Sequence, residues 1–166
     1  VIDITGISHA THLPGAVACR LPTLLCLWLP GLQPVAAEAR WLDSLFSGQL
    51  WLAVELLTTG HDRRRLAQLQ DLAHQLGLPL VAAGDVHMHA RGRRALQDVL
   101  TATRLGTTVE QAGFALFANG ERHLRPVTRL AQLHPPGLLA ASLEIAARCT
   151  FSLDELRYEY PREIVP

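Results

Sequence analysis

The sequence predicts an α/β fold, and three observations carry that prediction. Residues 50–57, "LWLAVELL", and residues 79–84, "PLVAAG", are apolar runs of strand length with a β-type composition. Between and after them, leucines recur at helical spacing. Strand and helix therefore alternate, which is the pattern of a parallel sheet or a β/α barrel.

Element by element, the chain opens on "VIDITG", a short β-type run closed by Gly6. Residues 10–33 predict no long element, because Pro14, Pro22 and Pro30 interrupt them. The apolar part of that region, residues 21–32, is too short to span a bilayer and is expected to be buried or poorly ordered. From Pro34, which suits the first turn of a helix, Val35, Ala39, Leu42 and Leu45/Phe46 trace a helical stripe as far as Gly48. The 50–57 strand follows. Asp62 is then expected to cap a helix whose apolar stripe is Leu66, Leu69, Leu72/Ala73 and Leu76, with Gly77 at its C-terminus. After the 79–84 strand, residues 91–104 predict a helix with Leu96, Val99 and Leu100 turned inward. Further helices are expected at 109–117, capped by Thr108 or Thr107, at 128–134 and at 136–148, packing around the edge of the α/β part. The tail from Phe151 reads as an extended, proline-punctuated linker.

Composition narrows the class. The 166 residues suffice for one hydrophobic core, and 49% hydrophobic content fits a globular domain. Formal net charge is zero, so no global field draws the chain to nucleic acid or membrane. All fifteen basic residues are arginine, a bias that reads as genomic composition. The three cysteines, Cys19, Cys26 and Cys149, are odd in number and not closely paired; Cys149 falls on an apolar helical stripe and is expected in the core. No signal peptide precedes them, so a reduced, cytoplasmic compartment is the default. The chain starts with Val, which suggests a piece of something longer.

Chemistry concentrates at "LVAAGDVHMHARGRR". Asp85 and His87 stand two apart at the end of a strand, and alternate strand residues share a face. Carboxylate plus imidazole suits Zn²⁺, Mn²⁺ or Fe²⁺ better than Ca²⁺. The competing reading is an aspartate capping the next helix beside a half-exposed histidine. His89 is expected to face solvent. Arg91, Arg93 and Arg94 open the next helix, where the dipole prefers acids. They serve either an external phosphate, DNA included, or a solvated arginine face. Arg63, Arg64 and Arg65 form a similar cluster that would converge on Asp85 if both helices flank one crevice. Glu55, inside an apolar strand, is expected to hydrogen-bond a neighbouring helix. There is no Gly-rich phosphate loop, serine elbow or CxxC pair.

Three stretches, "LGLPLVAAGDVHMHARGRRALQDVLTATRLGTTVEQAG", "NGERHLRP" and "IAARCTFSLDELRYEYPREIVP", resemble the bacterial C-family DNA polymerases, closest to their error-prone, damage-tolerance branch. The likeness covers residues 49–166 well and 1–48 loosely. It implies the back half of an amino-terminal PHP domain, a distorted β/α barrel with metal at the carboxyl ends of its strands. Residues 1–105 would be the partial barrel, 106–150 its helical end, and 151–166 a linker towards the palm. Asp85 and His87 match the last ligand pair of that metal cluster; its amino-terminal H-x-H and further ligands would precede Val1. Where many relatives carry a cysteine ligand after a strand ending in Thr-Gly, this chain has Ile7, with His9 and His12 nearby as substitutes. The likeness departs again between Cys19 and Leu32, where relatives have a helix.

Function follows from the resemblance as an expectation. The parent would be a DNA-directed DNA polymerase in damage-tolerant synthesis and repair, acting on DNA and deoxynucleotides with other subunits of a mutagenic complex and no membrane. Its PHP domain would be a metal-dependent phosphoesterase or 3′–5′ exonuclease; the alternative is a structural PHP half-domain, or a decayed copy, with degenerate metal binding. Zn, Mn or Fe would serve the PHP site and Mg²⁺ the palm, whose carboxylates this chain lacks. Asp154 and Glu155 belong to the tail motif rather than to that catalytic set, so the chain alone is expected not to polymerise DNA.

Overall fold

A computed structural model describes residues 24–156. The expected strand at 1–6, the substitutes His9 and His12 at the Ile7 position, Cys19 and the tail beyond Leu156 lie outside the described residues. Three parallel strands, β1 (Cys26–Trp28), β2 (Leu50–Glu55) and β3 (Leu80–Ala83), form a sheet in the order β1-β2-β3. Leu27 pairs with Trp51, and Ala53 with Val81. Helices α1 (Ala36–Leu45) and α2 (Asp62–Leu76) make the two crossovers. The expected alternation is therefore present from residue 26 onwards.

The strand β1 was not anticipated. Prolines 22 and 30 bracket it and only three residues pair, too few for a periodic signal. Burial secures it instead, because Cys26 and Trp28 are both buried in the core. The strand face carrying Cys26, Trp28, Leu50, Leu52 and Val54 packs against α1 and α2 through Ala39, Leu42, Leu69 and Ala73. Alternate residues Trp51, Ala53 and Val81 turn to the opposite face, as the two-residue repeat of a strand requires.

That second face is covered by α6 (Pro136–Arg148), through Ala141 and Ile145. It lies on the sheet rather than at its edge, with Pro136 in its first turn as the geometry favours. The helix α2 ends as its sequence predicts. Gly77 adopts the left-handed conformation, φ 67°, and the Leu78 amide returns to the Ala73 carbonyl. Its start differs: Asp62 is the first helical residue, and its carboxylate accepts from the backward amides of Thr58 (2.6 Å) and Thr59 (3.2 Å). The aspartate thus shapes the loop leaving β2 instead of capping the helix.

A 3₁₀ turn at Arg91–Arg93 leads into α3 (Arg94–Leu105). Here the sequence expectation is reversed. Leu96, Val99 and Leu100 are 53%, 50% and 56% exposed, and the helix buries Thr101 and Ala102. The small-residue side permits close packing onto α4 (Val109–Ala112), which leaves the leucine stripe outward. Thr108 caps α4 as expected, accepting from the Gln111 amide. After a 3₁₀ turn at Gly113–Ala115 come a loop and α5 (Val127–Leu133). Cys149 lies just past the end of α6 and is exposed, because the apolar stripe stops one turn before it. Ser152 and Glu155 form a reciprocal capping box around the turn Leu153–Glu155, so the tail begins as structure rather than as a plain extended linker.

Candidate functional site at the carboxyl ends of β2 and β3

Both strands run their carboxyl ends to the same side of the sheet, as parallel pairing demands. Two residues there hold the left-handed conformation without being glycine: Thr58 at φ 55° and Asp85 at φ 43°. Such strain clusters at positions where surrounding contacts fix the backbone. For Thr58 those contacts are the Asp62 carboxylate and the loop at Asn119, whose side-chain amide donates to the Leu57 carbonyl at 2.8 Å.

For Asp85 the contacts come from Arg122. Its carbonyl accepts from the amides of His87 (2.9 Å) and Met88 (3.0 Å), and the Leu124 amide returns to the Met88 carbonyl. Its guanidinium binds one Asp85 oxygen through Nε. The other Asp85 oxygen meets His87 Nε2 at 2.9 Å. Phe117 forms a shelf beneath both side chains: the Arg122 guanidinium lies 4.4 Å from its ring centre and the His87 ring 4.9 Å away. The sequence brought Asp85 and His87 forward together, and the structure joins them directly. His89 takes no part in the cluster.

Beside this cluster opens a cavity of about 650 Å³. Its wall includes Glu55, His61, Arg64, Arg65 and Arg122. Glu55 makes no hydrogen bond to a neighbouring helix among the described residues, contrary to the sequence expectation. It stands at the last position of β2, half-buried and turned into the cavity. Burial pushes its carboxyl above the ordinary range, and the Asp85 charge adds to the rise, while Arg122 and Arg65 oppose it. Arg65 is committed elsewhere, donating to the carbonyls of Pro30 (2.6 Å) and Gly31 (2.7 Å). Arg64 carries no partner among the described residues.

The second arginine cluster divides into separate tasks. Arg94 braces the 117–118 loop, donating to the Phe117 carbonyl at 2.8 Å, and pairs with Asp98. Arg91 pairs with Glu121 at 3.3 Å. Arg93 is exposed and without a partner among the described residues. Glu121 is only 7% exposed and is shared with Arg125, whose guanidinium also donates to the Leu56 carbonyl at 3.0 Å. This clamp ties the loop after β2 to the 119–125 loop. Gly120 fits there because any Cβ would lie 3.3 Å from the Arg91 carbonyl.

Sequence reasoning missed Arg122, Phe117 and the Glu121 clamp as parts of the site. The arginine contact spans 37 residues, and no local spacing encodes it. The signal that existed was "NGERHLRP", a dense polar run in an otherwise apolar third of the chain. Among the described residues, no three His, Cys, Asp or Glu side chains gather closely enough to hold a metal ion. No described helix is long and apolar enough to cross a membrane.

No protein-family model matches the chain. Curated relatives do. The chain is 61% identical over 146 residues to the error-prone DNA polymerase of Dechloromonas aromatica (strain RCB), an alignment covering 88% of this chain and 14% of that protein. The error-prone DNA polymerase of Pseudomonas savastanoi pv. phaseolicola (strain 1448A / Race 6) is 58% identical over 147 residues, 86% of this chain and 14% of the relative. That of Azoarcus sp. (strain BH72) is 53% identical over 164 residues, 99% of this chain and 15% of the relative. The chain therefore spans about one-seventh of the length of the curated relatives it matches. Identity above one half along most of its residues places this chain in the bacterial C-family of error-prone DNA polymerases, as a segment of such a protein.

Proposed function

We propose that the chain is part of a DNA-directed DNA polymerase acting in damage-tolerant synthesis and repair, with DNA and deoxynucleotides as its substrates. Its α/β unit is the back half of a PHP-type barrel, and Asp85 and His87 are one corner of a metal-dependent phosphoesterase or 3′–5′ exonuclease site. The observation that carries this reading is the 2.9 Å contact between the Asp85 carboxylate and His87 Nε2 at a strand's carboxyl end, beside a cavity. A carboxylate and an imidazole this close can share a cation as readily as a proton, and the pair suits Zn²⁺, Mn²⁺ or Fe²⁺.

Asp85 and His87 would hold such an ion with donors from residues outside the described part. When bound, it supplies a polarised phosphoryl group and an activated water. The chain's own residues do the rest. Glu55, its carboxyl held above the ordinary range, keeps a proton longer than a solvated glutamate and faces the same cavity. Arg93 and Arg64, both exposed and without a partner among the described residues, are available to phosphate; Arg91 and Arg94 act mainly by holding the 117–121 loop.

A second reading is a structural half-domain with degenerate metal binding. The ion pairing of Asp85 favours it, since both carboxylate oxygens already have partners. Elemental analysis of the full-length protein separates the two, with Asp85→Ala and His87→Ala beside it. Loss of bound metal in both variants is expected. Metal content unchanged in both would remove the ligand assignment and leave the structural role.

A further inference from the structure

Arg122 grips the Asp85–His87 turn at three points. Its carbonyl takes the amides of His87 and Met88, and its guanidinium neutralises the carboxylate. The guanidinium also rests on the Phe117 ring and forms part of the cavity wall, so it has a bed that does not depend on Asp85. The charged and titratable groups acting on this spot are Arg122, His87 and Glu55, and Arg65 also acts on the Glu55 carboxyl. The backbone hold and the side-chain hold are separable, because the first uses only main-chain atoms.

We propose that Arg122 is a built-in counter-cation that competes with a divalent metal for the Asp85 carboxylate and thereby sets the metal affinity of this corner. The inference rests on the reading of Asp85 and His87 as metal ligands. A dication held by Asp85 would stand against a guanidinium, and like charges a few ångströms apart repel even in a well-screened site. Metal entry therefore requires the guanidinium to leave the carboxylate and remain on Phe117, facing the cavity. Removing the charge while keeping the backbone hold should release the carboxylate to the metal. Arg122 is a positioning residue in this scheme and touches no reacting atom.

The test is calorimetric titration of the full-length protein with Zn²⁺ alone, scoring the binding that Asp85→Ala abolishes. Arg122→Gln should bind Zn²⁺ at that site about tenfold tighter than the parent. Arg122→Lys, which keeps the charge, should stay within about threefold of it. Thermal melts accompany each variant, and Arg122→Met, which keeps apolar contact with Phe117 without the charge, replaces the glutamine variant if that one unfolds early. Equal or weaker Zn²⁺ binding in the charge-free variant, with an Asp85-dependent site present, overturns the competition and leaves the ligand assignment standing. No Asp85-dependent binding in the parent or in either variant overturns both.

Discussion

Arg122 holds Asp85 from two sides, with its guanidinium on the carboxylate and its carbonyl on the amides at His87 and Met88. Two residues 37 apart in sequence thus act as one unit. Both are partly exposed, so the ion pair itself contributes modestly to stability. A double-mutant cycle with Asp85→Ala and Arg122→Ala, read by denaturant unfolding, should give a coupling of about 1 kcal/mol. Strict additivity would mean that the side-chain contact is energetically idle.

The Glu121–Arg125 pair should behave differently. Both side chains are buried, at 9% and 3% exposure, and Arg125 also serves the Leu56 carbonyl. Removing one partner strands a buried charge, which costs about 3–5 kcal/mol. Glu121→Ala is therefore expected to lower unfolding free energy by about 3 kcal/mol, and an exposed control such as Glu144→Ala by less than about 0.5 kcal/mol.

Two groups give opposite pH dependences. The Glu55 carboxyl titrates above its ordinary range when folded, so in that window the folded protein holds the extra proton. Stability then falls as pH climbs from the ordinary glutamate value through the raised one. Glu55→Gln should flatten that fall. The buried His134 runs the other way, because burial and the Arg125 charge lower its folded value. The unfolded chain binds the extra proton there, and stability falls as pH drops from the ordinary imidazole value towards the lowered one. His134→Asn should remove this acid sensitivity, as measured by urea unfolding across a pH series.

The outward stripe of α3 makes a prediction about association. Leu96, Val99 and Leu100 share a helix face and are about half exposed. The 166-residue chain alone should associate with rising concentration in size-exclusion chromatography with light scattering. Leu96→Glu with Leu100→Glu should suppress that while shifting stability by less than about 0.5 kcal/mol.

That same stripe shows where sequence reading reached its limit. Period 3.6 finds an apolar face but not what lies against it, and on α3 the small residues Thr101 and Ala102 took the inside. The strand runs of β2 and β3 were legible because four or more consecutive positions agree. The three residues of β1 were hidden between prolines and are held by contacts with β2 and α1. At the site, Asp85 and His87 were legible because strand-end spacing is local. Arg122 and Phe117 were not, because their roles depend on loops brought together by the folded sheet.

The clamp has a temporal consequence. Asn119 and Arg125 fasten the carbonyls of Leu57 and Leu56, across separations of 62 and 69 residues. During synthesis β1, β2 and β3 can pair as soon as residue 83 has left the ribosome, but the loop after β2 and the turn at Asp85 have no grip until Asn119, Arg122 and Arg125 have followed. The corner is thus finished some forty residues after the strands that carry it are made, and a nascent chain halted in between would own a sheet with an unset edge.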